Sequence, residues 1–196
     1  EFVVVSDICL DTDTTQYADV LLPALGWGEK DGTVTNSERR ISRQRAFLAS
    51  PKQAKADWWA VAEVAKKLGF SGFDFSNPCD IFNEHAALSA YQNASLAERD
   101  QVENFRYFNL KGLTNLSLEE YNELKPTQWP VWEKGQTTSV KQLFGQGEFS
   151  YASRKAKLIP TIAIDPLHSV SEDYPLILNT GRIRDQWHTM TRTGLS

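Results

Sequence analysis

The chain has two cysteines and three histidines in 196 residues, and none stands where a metal would find a cage. Cys9 and Cys79 lie far apart, with no Cys or His near either at the short spacings that build tetrahedral sites. His85, His168 and His188 are equally scattered. The cysteines therefore read as free thiols, and no metal is expected to be ligated by this stretch. Long apolar runs are missing too: none approaches the ~20 residues of a membrane span, and the N-terminus lacks the charged, apolar, small-residue succession of a secretory signal. Lys and Arg are outnumbered by Asp and Glu, 21 against 25, and no basic block clusters them. Phosphate neutralisation needs such a cluster, so a nucleic-acid partner is not expected. The chain does not start with methionine; it starts inside a strand pattern and stops abruptly at Ser196. It is expected to be an excised piece of a longer protein.

What is present is ordinary globular material, 41% hydrophobic, enough for a sizeable core in one domain or in one domain plus part of the next. Residues 2–5 form a continuous β-branched apolar run that Ser6-Asp7 ends, the pattern of a buried parallel strand with polar groups at its C-terminal end. Asp7 either caps that turn or accepts from a ribose hydroxyl or a guanine edge, because ligands sit at strand ends in open α/β sheets. Residues 11–14 supply a cap for a short helix to Ala18, and 19–23 look like a second buried strand stopped by Pro23. Alternation over residues 33–45 predicts a hairpin or extended arm carrying Arg39, Arg40, Arg43 and Arg45. For Arg43 and Arg45 a solvated charged face is the default reading.

Residues 55–68 place Trp58, Val61, Val64, Ala65 and Leu68 at helical spacing with Gly69 as C-cap. Trp58, Trp59 and Phe70 read as packing groups. Between 71 and 146 the sequence is polar, aromatic-rich and patchily periodic, predicting helices at 78–90 and 117–124 and a further helical turn at 95–101. Ser117 and Glu120 form a capping box for the second of these. This region reads as helical decoration, its aromatics internal packing or a contact with another part of the parent. Residues 156–164 predict paired strands around Pro160, and 176–178 a short buried strand before the turn at Thr180-Gly181. After that turn come three arginines, Asp185, Gln186, Trp187 and His188. These are groups suited to phosphate oxygens, heterocycle edges and flat rings, although such a stretch is also the composition of a solvated loop.

Several of these runs carry a resemblance. FVVVSD, then ADVLLPALGWGEKDGTVTNSERR, then QAKADWWAVAEVAKKLG are similar, in order and spacing, to the third domain of molybdenum oxidoreductases of the dimethyl-sulfoxide-reductase family. That domain shows a strand ending in Ser-Asp, then A-D-x-x-L-P, W-x-E-K-x-G, N-x-E-R-R and A-x-x-D-W. The terminal TGRIRDQWHTMTRTG resembles the opening of the same family's C-terminal molybdopterin-dinucleotide-binding domain. Its RDQWHTMTRTG wording looks most like the assimilatory nitrate reductases.

The resemblance implies an α/β fold: a Rossmann-like doubly wound parallel sheet domain with helical decoration over residues 1–165 (the insertion about 71–146), a linker at 166–173, and the truncated first strand and loop of a C-terminal molybdopterin-dinucleotide-binding domain at 174–196. It assigns contacts with a molybdopterin guanine dinucleotide to Ser6, Asp7, Lys30 and Asp57. It assigns the pterin-dinucleotide loop to Thr180, Gly181, Arg182, Ile183, Arg184, Asp185, Gln186, Trp187, His188 and Thr189. The chemistry agrees residue by residue: Lys30 can serve ribose or phosphate oxygens, and Asp57 can take a guanine edge, though a carboxylate at a helix start is also favoured by the unpaired amides.

For the parent, the resemblance implies reduction of nitrate to nitrite in the cytoplasm, with molybdenum-bis(molybdopterin guanine dinucleotide) and an iron-sulfur cluster as cofactors. The partners are the remaining domains of the parent chain, an electron-donor protein and nitrate. No cluster cysteine lies in this chain, so alone it should be inert and hold no cofactor, and its last loop should be mobile. Two other readings stand beside this one: a periplasmic nitrate reductase or formate dehydrogenase large subunit, and, from another class, a stand-alone nucleotide-binding or interaction module. The last would need a Gly-rich phosphate loop after the first strand, where SDICLDTDT stands instead.

Overall fold

The structure is a computed structural model and describes residues 2–51, 53–95, 97–98, 101–102, 105–136, 142–145, 147, 149, 151, 153–179 and 181. The chain divides into two compact units, Glu1–Lys157 and Leu158–Ser196.

In the first unit β1 (Val4–Asp7) runs parallel to β2 (Val20–Pro23), with Val4 opposite Val20 and Asp7 opposite Pro23. The short helix expected between them is a single 3-10 turn, Thr15–Tyr17. Thr12 and Thr15 explain the shortfall: the Thr15 hydroxyl donates to the Leu10 and Thr12 carbonyls and accepts from the Thr12 amide, giving the backbone an alternative to helical bonds. Past Pro23 the parallel arrangement is extended by a bridge from Ala24 to Lys55. There the Lys55 amide donates to the Pro23 carbonyl at 3.0 Å. The strands are not buried as their sequence predicts, since Phe2 is 74% and Val4 51% exposed. Two strands and a bridge leave much of such a sheet uncovered.

Helix α1 (Asp57–Lys67) follows that bridge. It ends as its sequence predicts: Gly69 takes φ +85°, the Phe70 amide donates to the Ala65 carbonyl and the Gly69 amide to the Lys66 carbonyl, a Schellman stop that only glycine adopts without strain. Its buried residues are Ala62 and Ala65, whereas Val61, Val64 and Leu68 of the expected core stripe face outward, as do Trp59 and Phe70.

Strands β3 (Gly32–Thr35) and β4 (Arg40–Gln44) form the expected hairpin, and β5 (Thr127–Gln128) joins the other edge of β4, all antiparallel. Asn36 builds the tip, its Oδ1 accepting from the Glu38 and Arg40 amides. Beside it Arg39 takes φ +69°. Arg40 bonds to Glu38, which holds the Glu38 carboxyl below its ordinary range. The α/β class stands, as one small parallel and one small antiparallel sheet among the described residues. A single doubly wound sheet is not seen in them.

The main hydrophobic core lies where the sequence looked least regular. Helix α2 (Pro78–Ala90) matches its expected span, with Asn77 accepting from the Cys79 and Asp80 amides and Pro78 in the first turn. The short α3 (Leu118–Asn122) has the Ser117–Glu120 capping box. Of residues 95–101, where a helical turn was expected, those described include turn residues at 97–98, with Ser95 bonded to Glu98. Around these pack Ile41, Phe82, Ala86, Leu110, Tyr121 and Val131. Aromatics fill the flanks, Phe105 stacked on Trp132 at 5.4 Å and Phe108 edge-on to Trp129 at 5.1 Å. The buried Ser89 hydroxyl is paired: its Oγ donates to the Ala86 carbonyl and accepts from the Leu110 amide. The region read as helical decoration is therefore the structural centre of the unit.

Arg43 overturns the expectation of a solvated face. Its side chain is 2% exposed, pairs with Asp31 at 2.7 Å and lies 3.9 Å above the Tyr121 ring centroid. It also donates to the Gly32 carbonyl, and to Asn122 at 3.1 Å. Arg45 reaches the Asn122 carbonyl from a more exposed position. Burial pushes the Tyr121 hydroxyl up to about 12, with Arg43 opposing, and burial likewise raises the Cys79 thiol. For a tyrosine the raised folded-state value favours the neutral folded form. Its contribution is complete below the unfolded value of 10.0 and is lost as pH climbs through about 12. Of the six tyrosines, Tyr121 is expected to ionise last. A spectrophotometric titration in which Tyr121→Phe leaves the late-ionising component intact would contradict this.

Residues 156–164, from the end of the first unit into the second, and 176–178 in the second show no strand. Leu158, Ile162, Ile164 and Leu178 are 85–94% exposed, and these segments have no ladder partner among the described residues. An apolar β-branched run becomes a strand only when a neighbouring edge takes its backbone bonds. Ser171 and Tyr174 close a turn through the Ser171 amide to the Tyr174 carbonyl. No helix among the described residues is long and apolar enough to cross a membrane.

Candidate functional site

The parallel pair and α1 meet at one groove. β1 delivers Ser6 and Asp7 at its C-terminal end, on opposite sides of the strand because successive side chains alternate. Ser6 lines a groove of about 280 Å³ with Leu22 from β2 and Asp57, Ala60, Val61 and Val64 from α1. Asp7 is turned to the other side, where its Oδ1 accepts from the Cys9 amide at 2.9 Å and its carbonyl from the Ala24 amide at 3.0 Å. The turn-capping role considered for Asp7 is the one seen.

Lys30 enters from the turn Trp27–Glu29, itself closed by Glu29 reaching back to the Gly26 amide at 2.7 Å. Its Nζ donates to Asp57 Oδ2 at 2.7 Å. Asp57 is the first residue of α1, with Ala56 at the N-cap contributing no side-chain bond. Of the four residues expected from the first part of the chain, Ser6, Lys30 and Asp57 are thus gathered, and Asp7 sits beside them facing away. Of the terminal loop only Gly181 is described; it is exposed, and a Cβ built on it would meet nothing within 4 Å. Thr180, Arg182, Ile183, Arg184, Asp185, Gln186, Trp187, His188 and Thr189 lie outside the described residues, as does the expected mobility of that loop.

A second cavity, about 260 Å³, lies between Asp31, Trp58, Phe82, His85 and Tyr121. Sequence reasoning had no signal for it, because its walls come from four separate elements. Among the described residues no three His, Cys, Asp or Glu side chains gather where they could hold a metal ion.

Residues 1–67, which contain every residue of the groove, match the family model described as Molybdopterin oxidoreductase. Over those residues the chain is similar to the molybdopterin oxidoreductase family. It is 53% identical over 195 residues to a nitrate reductase of Shewanella frigidimarina, covering 98% of this chain and 20% of that protein. A nitrate reductase of Klebsiella oxytoca is 48% identical over 194 residues, covering 98% of this chain and 21% of its own length. The F420-dependent formate dehydrogenase subunit alpha of Methanocaldococcus jannaschii is 32% identical over 194 residues, covering 98% of this chain and 25% of its own. The chain spans about a fifth to a quarter of the length of these relatives.

The donor set is one that suits a nucleotide. A carboxylate accepts the paired donors of a guanine edge, a serine hydroxyl both donates and accepts, and an ammonium serves oxygens. Leu22, Ala60, Val61 and Val64 give a flat base an apolar wall, the usual mixture of a small-molecule site.

Proposed function

We propose that this segment forms part of the molybdopterin guanine dinucleotide site of an enzyme that reduces nitrate to nitrite. The observation that carries the reading is the convergence of Ser6, Asp57 and the Lys30–Asp57 ion pair on one groove, within the matched residues 1–67. The similarity to two nitrate reductases at 53% and 48% identity supports nitrate as substrate over formate. The wording RDQWHTMTRTG supports the assimilatory subtype, in the cytoplasm, with an iron-sulfur cluster and an electron-donor protein serving the whole enzyme.

When bound, the cofactor supplies the redox chemistry, and the protein's part is to bind and orient it. Ser6 would hold a ribose or base oxygen, Asp57 the base edge, and Leu22, Val61 and Val64 the base face, excluding water from it. Asp7 would hold the strand-end turn on which Ser6 depends. Gly181 would let backbone approach the pterin, and Thr180, Arg182, Ile183, Arg184, Asp185, Gln186, Trp187, His188 and Thr189 would complete the contacts. Residues 1–165 would then belong to a Rossmann-like sheet completed by further strands of the parent. The exposed Val4, Val20 and Leu21 support that completion, since each buried aliphatic side chain contributes about 1.5–3 kcal/mol. Residues 174–196 would open the next domain, after the linker at 166–173.

In the full-length protein, Asp57→Asn is expected to lower bound guanine nucleotide about tenfold or more, because the amide turns one acceptor into a donor facing the guanine donors. Guanosine monophosphate released on acid treatment, counted per protein, measures it. Unchanged release would remove Asp57 from the site.

A further inference from the structure

We infer that Lys30 acts on the dinucleotide through Asp57, as a positioning residue, rather than by contacting a phosphate. This rests on the function proposed above. Three carboxylates surround Lys30 in sequence or space. Glu29 is taken by the Gly26 amide at 2.7 Å, and Asp31 by Arg43 at 2.7 Å. Asp57, 27 residues along the chain, is the one that Lys30 bonds. The turn before Lys30 is fixed by the capping bond and the chain after it by the hairpin that starts at Gly32, so the direction in which Lys30 leaves the backbone is set before any ligand arrives.

The pair does little for folding. Its side chains are 32% and 56% exposed, and ion pairs of that kind contribute about 0–1 kcal/mol. What it does is orient. Asp57 stands at the N-terminus of α1 behind an N-cap alanine whose side chain caps no amide, its carbonyl accepting from the Trp59 amide at 3.0 Å and leaving the first amides of the turn without a side-chain partner. Those unpaired amides draw a carboxylate back along the helix. Lys30 holds the same carboxylate through Oδ2, and among the described residues no donor bonds Oδ1.

The carboxylate is thus presented to the groove it lines with two acceptors side by side. Guanine's N1–H and exocyclic amine are two adjacent donors; an edge that pairs one donor with one acceptor gains only half of that match. Without Lys30 the acceptors remain, but their orientation is lost.

The test is a double-mutant cycle in the full-length protein with Lys30→Met, Asp57→Asn and both together, plus Lys30→Arg. The readout is guanosine monophosphate released per protein after prolonged dialysis, with circular dichroism checking that each variant is folded. Lys30→Met is expected to lose roughly tenfold, and the double variant to lose no more than Asp57→Asn alone, because coupled residues are non-additive. Lys30→Arg is expected to restore most of the content, since its fork also holds a carboxylate. Losses that multiply in the double variant would show Lys30 contacting the cofactor independently and overturn the inference while leaving the site intact. Loss in Lys30→Met without rescue by Lys30→Arg would also overturn it. No loss in Asp57→Asn would overturn the underlying site reading instead.

Discussion

Replacing Gly112 with alanine is expected to destabilise the protein by at least ~3 kcal/mol, at the upper end of what overpacking costs. An added Cβ would lie 2.3 Å from the Glu133 carbonyl oxygen, 2.5 Å from its carbon and 2.8 Å from Val131 Cγ1. The nearest atoms are backbone, so no rotamer change relieves the clash. Segments 109–112 and 131–133 would have to separate. That would strain the bonds from the Gly112 amide to the Val131 carbonyl at 2.9 Å and from the Val131 amide to the Asn109 carbonyl at 2.8 Å. Val131 is 1% exposed and part of the core cluster, so the disturbance reaches the residues that hold the unit together. In a thermal melt the midpoint should fall by about 6 °C or more. A fall of under about 2 °C would mean that the two segments are not packed this closely.

Arg43→Ala is expected to cost ~2–3 kcal/mol, and Asp31→Asn under ~1 kcal/mol. The asymmetry follows from burial. The arginine side chain is 2% exposed and the aspartate 47%, so Asp31 left alone rehydrates. Removal of Arg43 empties the space over Tyr121 and breaks its bonds to the Gly32 carbonyl and Asn122. The loss is held down by Arg43 Nε, which has no hydrogen-bond partner among the described residues and is therefore already a cost in the native state. Denaturant unfolding of both variants checks this; equal losses would contradict the packing role and leave only a surface ion pair.

These two positions also show what a sequence conceals. Helices α1, α2 and α3 were legible because their caps are local: Gly69 after α1, Asn77 and Pro78 before α2, Ser117 and Glu120 at α3. The β3–β4 hairpin was legible from alternation. Arg43 was not, because its burial depends on Asn122 and Tyr121, nearly eighty residues away, and nothing near it distinguishes it from the exposed Arg45. Gly112 drew no notice for the same reason, its neighbour being Glu133. The core around Phe82, Leu110 and Val131 is assembled from short irregular segments whose periodicity is too brief to read.

For the site, motif order in the sequence gave Ser6, Lys30 and Asp57 through their resemblance to a family. The residues alone did not say that Lys30 and Asp57 would pair. Nor did they decide between the two roles open to Asp7, whose Oδ1 the structure places in the strand-end turn.

The most direct measurement is the molybdenum, pterin and guanine nucleotide content of the full-length protein from its native host, together with nitrate turnover from an artificial electron donor. We expect molybdenum and guanine dinucleotide in stoichiometric amount and reduction of nitrate to nitrite. Cofactor with formate but no nitrate turnover would contradict the substrate, and protein without molybdenum or pterin would contradict the central claim.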